Sequence, residues 1–170
     1  AQALDAGHQV KVLNLSGYTW SRVDEVLDAL DADLYGMSCW TANRRGVALV
    51  ADAIKKRRPL AHVVVGGPHA TPFATEMLAH FPSIDSVACG ESEPAFLELI
   101  ERLDQGADTT GIAGMVYRLP GSGAIEKGPP RAAIADLDTL ASPHDWFDTH
   151  IVMTSRGCPW QCTFCGAETT

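Results

Sequence analysis

The sequence predicts an α/β fold, a parallel sheet with helices on both faces. Within residues 10–102, short apolar runs alternate with segments of helical spacing, which is the pattern of repeated strand–helix units. The apolar runs lack long polar alternation, and this indicates strands that are buried on both faces. Four strands are therefore predicted, at residues 10–15, 34–39, 62–65 and 84–88.

A helix is predicted after each of these strands. Their expected starts carry either a capping side chain or a proline, which the first helical position tolerates. The starts are Ser21, Asn43, Thr71 and Pro94, and Gly106 is expected to stop the last helix.

Beyond residue 106 the pattern changes. Residues 115–119 and 124–127 predict a β-hairpin, and the proline-interrupted residues 128–150 predict a linker. A short strand is predicted at 151–154, just before a cysteine-rich loop. The expected division is a domain at 1–127, the linker at 128–150, and the start of a truncated second domain at 151–170. Residues 1–6 resemble the end of a helix, so we expect a missing first strand before them.

Composition limits the classes of protein. Hydrophobic residues make up 46% of the 170 residues and charged residues 20%, which excludes disorder over most of the length. The formal net charge of −8 argues against a nucleic-acid or anionic-membrane partner. No apolar run approaches the roughly 18–20 residues of a membrane helix, and the opening residues lack the layout of a signal peptide. We expect a cytoplasmic protein.

The strongest motif is the run RGCPWQCTFCG, which contains Cys158, Cys162 and Cys165 in the spacing C-x3-C-x2-C. Structural zinc usually takes four protein ligands, and the loop contains no fourth. A 4Fe-4S cluster held by three cysteines instead leaves one iron free. Zinc binding or plain packing is the alternative. Cys39 and Cys89 lie at predicted strand ends, where buried cysteines without a ligand role are common.

Two glycine motifs follow consecutive predicted strands. The run VVVGGPHATP places Gly66 and Gly67 at the carboxyl end of a strand, where open α/β sheets bind their ligands. The run VACGESEP repeats this placement with Gly90 and Glu91. The same motifs also have an explanation without a ligand. Gly-Gly is common in ordinary turns, and acidic residues after Gly90 are favoured at the start of a helix.

The cysteine loop, with Phe164 before its last cysteine, resembles the radical S-adenosylmethionine superfamily. Together with GGPH, CGESE and the phrase DLDTLASP, it resembles the cobalamin-binding enzymes of that superfamily over nearly the whole chain. The resemblance implies a Rossmann-like domain of the flavodoxin type that binds cobalamin, followed by the first strand and cluster loop of a TIM-type barrel. It also implies that the free iron binds S-adenosylmethionine, which is split into methionine and a 5′-deoxyadenosyl radical.

The family's site residues carry over onto matching positions. The resemblance implies a 4Fe-4S cluster on Cys158, Cys162 and Cys165, with Phe164 beside S-adenosylmethionine. The implied cobalamin contacts are Ser38, Thr41, Gly66, Gly67, Pro68, Gly90 and Glu91. No Asp-x-His-x-x-Gly motif, which ligates cobalt in some cobalamin domains, is present. His69 beside the glycine pair is expected to form hydrogen bonds rather than to ligate cobalt.

The implied activity is methyl transfer to an unactivated carbon or phosphorus centre of a small or carrier-bound substrate, with flavodoxin or ferredoxin as electron donor. No catalytic residue is assigned. Two alternatives are a cyclase or rearrangement enzyme with the same cofactors, and a cobalamin-binding module whose iron–sulfur site is structural or vestigial. A response-regulator-like domain would leave the cysteine loop unexplained. The 170 residues by themselves are predicted to be inactive.

Overall fold

A computed structural model describes residues 1–148, 155–158, 160 and 162–164. A five-stranded sheet has the order β1-β2-β3-β4-β5. Strands β1 (Leu34–Ser38), β2 (His62–Gly66) and β3 (Ser86–Ala88) are parallel. The hairpin of β4 (Met115–Arg118) and β5 (Ile125–Lys127) extends the sheet in antiparallel fashion. The predicted fold class and hairpin are confirmed, whereas the strand predicted at residues 151–154 lies outside the described residues.

All four predicted helices form, although their ends differ from the prediction by a few residues. The helices are α1 (Gln2–Asp5), α2 (Trp20–Asp28), α3 (Arg44–Arg57), α4 (Ala74–His80) and α5 (Glu93–Asp104). Helix α2 is capped by Thr19 rather than by Ser21, because the Thr19 side chain accepts a hydrogen bond from the Arg22 amide at 3.4 Å. Helix α5 has its proline in the first turn, as predicted.

The strand predicted at residues 10–15 is wrong. These residues are irregular, and Val12 is 66% exposed. An apolar, β-branched run favours extended backbone, but a strand forms only where a neighbour supplies ladder hydrogen bonds. No residue in the described part of the chain pairs with this segment, and β1 pairs only with β2 there.

The core has two layers, one on each face of the sheet. Helices α2, α3 and α4 pack against the face that carries Val63, Val65 and Val87. Helix α5 packs against the opposite face, where Val64, Ala88 and Leu99 belong to one buried hydrophobic cluster. Successive strand residues therefore point into different layers, which explains why the strands read as continuous apolar runs.

Residues 128–148 lie along the α/β domain. They contain two short 3-10 turns, at Leu137–Thr139 and Pro143–Asp145. The Gly114 amide donates to the Pro129 carbonyl at 2.8 Å, and Arg131 pairs with Glu98 of α5 at 2.9 Å. Gln2 of α1 donates to the Ala141 carbonyl at 3.1 Å. The segment is thus held at both ends, while the division of the chain into domains stays a prediction.

The longest helix of the described residues, α3, has 14 residues. None of the helices found there combines the length and the apolar character needed to cross a membrane.

Candidate cofactor site at the strand ends

The loops after β1, β2 and β3 meet at the carboxyl edge of the sheet, and we call this region the strand-end surface. Cys39 joins the first two loops, since its amide donates to the Gly66 carbonyl at 2.7 Å and its carbonyl accepts from the His69 amide at 3.1 Å. Thr71 joins the second and third, because its hydroxyl donates to the Gly67 carbonyl at 3.3 Å and accepts from the Gly90 amide at 3.1 Å. The three loops therefore form one connected surface.

Two glycines of this surface, Gly67 and Gly90, differ in the space that surrounds them. Gly67 has a φ of +101°, and a Cβ there would lie 2.9 Å from the Cys39 carbonyl oxygen, so the fold itself requires glycine. Gly90 also has a positive φ, of +64°, but a Cβ there would meet nothing within 4 Å. The space in front of Gly90 is open to a ligand.

All seven predicted cobalamin contacts lie on the strand-end surface. Ser38, Thr41, Pro68 and Gly90 are exposed, whereas Gly66, Gly67 and Glu91 are partly buried. Ser38 and Gly66 are direct neighbours across β1 and β2. The structure thus brings together residues that are more than fifty positions apart in the sequence.

Two residues that organise the surface were not predicted as part of it. The sequence predicts Thr71 only as a helix start. It predicts Asn43 as the cap of α3, but Asn43 makes no side-chain cap hydrogen bond. Its side chain instead accepts from the Trp40 amide at 2.7 Å and donates to the Ser38 carbonyl at 3.1 Å. An asparagine shortly after a strand is a common turn former, and this signal indicates such a role.

His69 lies on the same surface within a local polar contact. Its Nδ1 is 3.1 Å from the Thr41 hydroxyl, and the two groups share a hydrogen bond. Its ring packs against Phe73 with the ring centroids 5.0 Å apart. These contacts accord with the expectation that His69 forms hydrogen bonds.

Both carboxylate oxygens of Glu91 are engaged by protein donors. One accepts from the Ile134 amide at 2.6 Å, and the other lies 3.4 Å from Arg156, two residues before Cys158. A cobalamin contact by Glu91 stays a prediction, and it would have to share these oxygens.

The cysteines fall into two environments. Cys158 and Cys162 are free and exposed, while Cys165 lies outside the described residues. Burial raises the pKa of the Cys39 and Cys89 thiols, although Arg44 and Lys127 respectively lower it. A raised pKa keeps a thiol protonated and makes it a poor metal ligand. Within the described part of the chain, no three metal-binding side chains lie together.

The groups of the strand-end surface fit cobalamin. Cobalamin carries neutral amide side chains around its corrin ring and a nucleotide tail with one phosphate. The surface offers the hydroxyls of Ser38 and Thr41, the open space in front of Gly90, and the exposed ring of Trp40. Neutral hydrogen-bonding groups beside an aromatic ring suit such a ligand. A cavity of about 430 Å³ beside His62 and Asp85 contains none of these residues.

A mixed sheet with helices on both faces and glycine loops at the strand ends defines a Rossmann-like cofactor-binding protein. The family model of the B12 binding domain matches residues 1–100. The chain belongs to this family, in the form that the cobalamin-binding radical S-adenosylmethionine enzymes carry.

Three of the curated relatives illustrate the similarity. An uncharacterized methyltransferase from Pyrococcus horikoshii is 32% identical over 95% of this chain. The cobalamin-dependent radical SAM methyltransferase TokK from Streptomyces tokunonensis is 32% identical over 84%. An anaerobic magnesium-protoporphyrin IX monomethyl ester cyclase from Rubrivivax gelatinosus is 29% identical over 85%. The chain spans only 38%, 23% and 28% of the lengths of these relatives, respectively.

Solved structures with the same fold include the radical S-adenosylmethionine methyltransferase TsrM from Kitasatospora setae. Its complex with tryptophan and a SAM analog has a TM-score of 0.67 at 22% identity, over 77% of this chain and 26% of that one. Its complex with cobalamin and a [4Fe-4S] cluster has a TM-score of 0.65 at 21% identity, over 82% of this chain and 26% of that one. The predicted Rossmann-like fold is confirmed, and the three predicted cofactors are those of such relatives.

Proposed function

We propose that this chain is part of a cobalamin-dependent radical S-adenosylmethionine methyltransferase. The proposed acceptor is an unactivated carbon or phosphorus centre of a small or carrier-bound substrate, and the proposed electron donor is a flavodoxin or ferredoxin. When bound, the cluster and cobalamin supply radical generation and methyl carriage, respectively. The observation that carries the proposal is that the loops after β1, β2 and β3, two of which contain glycine, are joined into one open surface in a chain that also contains the three-cysteine motif.

The residues of the chain have distinct tasks in this proposal. Ser38 and Thr41 would donate hydrogen bonds to cobalamin, and Gly66 and Gly90 would let backbone approach it closely. Cys158, Cys162 and Cys165 would hold the cluster as thiolates, with Phe164 near S-adenosylmethionine. Phe164 is 91% exposed among the described residues, so its ring is free to pack on a bound molecule.

The test for cobalamin binding uses two glycines with matched backbone. Gly90 and Gly106 have φ values of +64° and +62°, and a Cβ at either meets nothing within 4 Å. Asparagine tolerates this conformation better than most residues. We expect Gly90→Asn in the full-length protein to weaken hydroxocobalamin binding by about tenfold or more, because its side chain enters the ligand's space.

Gly106→Asn is the control for this experiment, since Gly106 follows the far end of the 12-residue helix α5. The affinity of the Gly106→Asn variant for hydroxocobalamin should equal that of the unaltered protein. Circular dichroism should show the same fold for both variants. Equal affinities of the Gly90 and Gly106 variants would remove the strand-end surface from the cobalamin site.

A cyclase is the second candidate function, favoured by the similarity to the Rubrivivax gelatinosus cyclase. S-adenosylmethionine with an isotopically labelled methyl group separates the two candidates. A methyltransferase passes the label to an acceptor in an extract of the source cells, whereas a cyclase forms 5′-deoxyadenosine without transferring the label.

A further inference from the structure

An ion-pair network connects the cysteine loop to the strand-end surface. The Arg156 guanidinium lies 2.6 Å from Glu93 and 3.4 Å from Glu91. Glu91 follows β3 closely, Glu93 begins α5, and Arg156 precedes Cys158 by two residues. The network therefore links the residues proposed to hold cobalamin with those proposed to hold the cluster, across more than sixty positions of sequence.

The network is partly shielded from solvent, which distinguishes it from an ordinary surface pair. The side chains of Arg156, Glu91 and Glu93 are 28%, 18% and 27% exposed. The second carboxylate oxygen of Glu93 is buried and has no hydrogen-bond partner among the described residues. Without Arg156, this carboxylate would be left shielded and uncompensated, which is costly.

The same network also reaches the linker. Glu91 accepts from the Ile134 amide at 2.6 Å with the oxygen that does not face Arg156. Arginine suits such a junction because its planar, multi-donor head contacts two carboxylates at once, which a lysine ammonium does with less defined geometry.

We propose that Arg156 is a positioning residue that fixes the cysteine loop against the cobalamin domain through Glu91 and Glu93. This inference rests on the proposed function. In the complete protein, the network holds the two cofactor-binding segments at one separation. Arg156 itself contacts neither reacting group in this proposal, and its effect is on geometry.

The experiment compares three variants of the full-length protein, each loaded with iron and cobalamin. Arg156→Gln removes the charge, Arg156→Lys keeps it without the planar head, and Arg22→Gln is the control. Arg22 forms an ion pair of the same 2.6 Å length with Glu25. The side chains of both residues are mostly exposed, and both residues lie on α2. The readout is the magnetic relaxation of cobalamin in its paramagnetic Co(II) state after the cluster is reduced, because this relaxation depends steeply on the separation of the two centres.

We expect all variants to bind iron and hydroxocobalamin like the unaltered protein. Arg156→Gln should lose most of the relaxation enhancement, Arg156→Lys should retain an intermediate part, and Arg22→Gln should retain all of it. An Arg156→Gln variant with full enhancement would overturn the proposal. Loss of iron from that variant would also overturn it, since Arg156 would then be needed for cluster assembly. Failure of the unaltered protein to bind either cofactor would instead contradict the proposed function.

Discussion

Cys39 is fully buried and Cys89 partly buried, whereas Cys158 and Cys162 are exposed to solvent. A cluster needs thiolates that iron can reach, and the raised pKa values of the two domain thiols oppose this role. Replacing Cys158, Cys162 or Cys165 with alanine in the full-length protein should therefore abolish cluster assembly and the cleavage of S-adenosylmethionine. Iron content after anaerobic reconstitution and the yield of 5′-deoxyadenosine measure the two effects.

Cys39→Ala and Cys89→Ala provide the matched controls for the three ligand variants. Both should keep the iron content and the cleavage of the unaltered protein. If all five variants lose iron alike, or if the three loop variants keep cleavage, the cluster assignment is wrong.

His62 provides a pH-dependent contribution to stability. Its Nε2 lies 2.8 Å from the Ser86 hydroxyl, and burial lowers its pKa below the ordinary value of about 6.5. The Asp85 carboxylate raises this pKa without reversing the effect of burial, and the Lys55 ammonium lowers it further. The unfolded chain therefore binds a proton more readily than the folded one, and the stabilising contribution, complete above about pH 6.5, is lost as the pH falls.

His62→Gln tests this contribution. The melting temperature of the full-length protein should be lower at pH 5.5 than at pH 7.5. The variant should show a smaller decrease, because glutamine does not titrate. Scanning calorimetry at both values measures the difference. An equal fall in the two proteins would show that protonation of His62 does not control stability in this range.

Individual site residues could be predicted where a short local sequence motif identifies them. Gly66, Gly67 and Gly90 follow apolar runs directly, so their position at strand ends could be inferred from the chain alone. The roles of Thr71 and Arg156 could not, because each depends on contacts with loops far away in sequence. Long-range hydrogen bonds of this kind leave no local pattern.

At the scale of elements, hydrophobic spacing predicted the helices and the paired strands well. It failed for residues 10–15, where the run is as apolar as the true strands but has no pairing partner in the described part of the chain. Strand formation is thus a property of two segments, while amphipathic spacing is a property of one. This difference explains why the helices were the safer predictions.

For the whole molecule, the edge of β1 determines how the 170 residues behave alone. Within the described residues, β1 pairs along one side only, with β2, and the apolar side chains of Val10, Val12 and Leu13 are exposed. Unpaired edges and exposed apolar residues promote association between chains. Residues 1–170 expressed alone should aggregate and should not cleave S-adenosylmethionine, whereas the full-length protein should stay monodisperse and active.

Light scattering and the yield of 5′-deoxyadenosine check this expectation side by side. A monodisperse 170-residue chain that unfolds cooperatively at high temperature and cleaves S-adenosylmethionine would contradict it. Such a result would mean that residues 1–170 are enough for stable folding and for the cleavage of S-adenosylmethionine.

Helix α5 bears on how this domain could be recombined with others. Its Glu98 holds the linker through Arg131, and its first residue, Glu93, holds the cysteine loop through Arg156. A chimera that exchanges residues 128–170 for those of a relative, but keeps the resident α5, would lose these contacts wherever the relative lacks an arginine that matches Arg131 or Arg156. The smallest exchangeable module of the chain therefore begins before Glu91 rather than at the linker, and homologous grafts should cross over within β3.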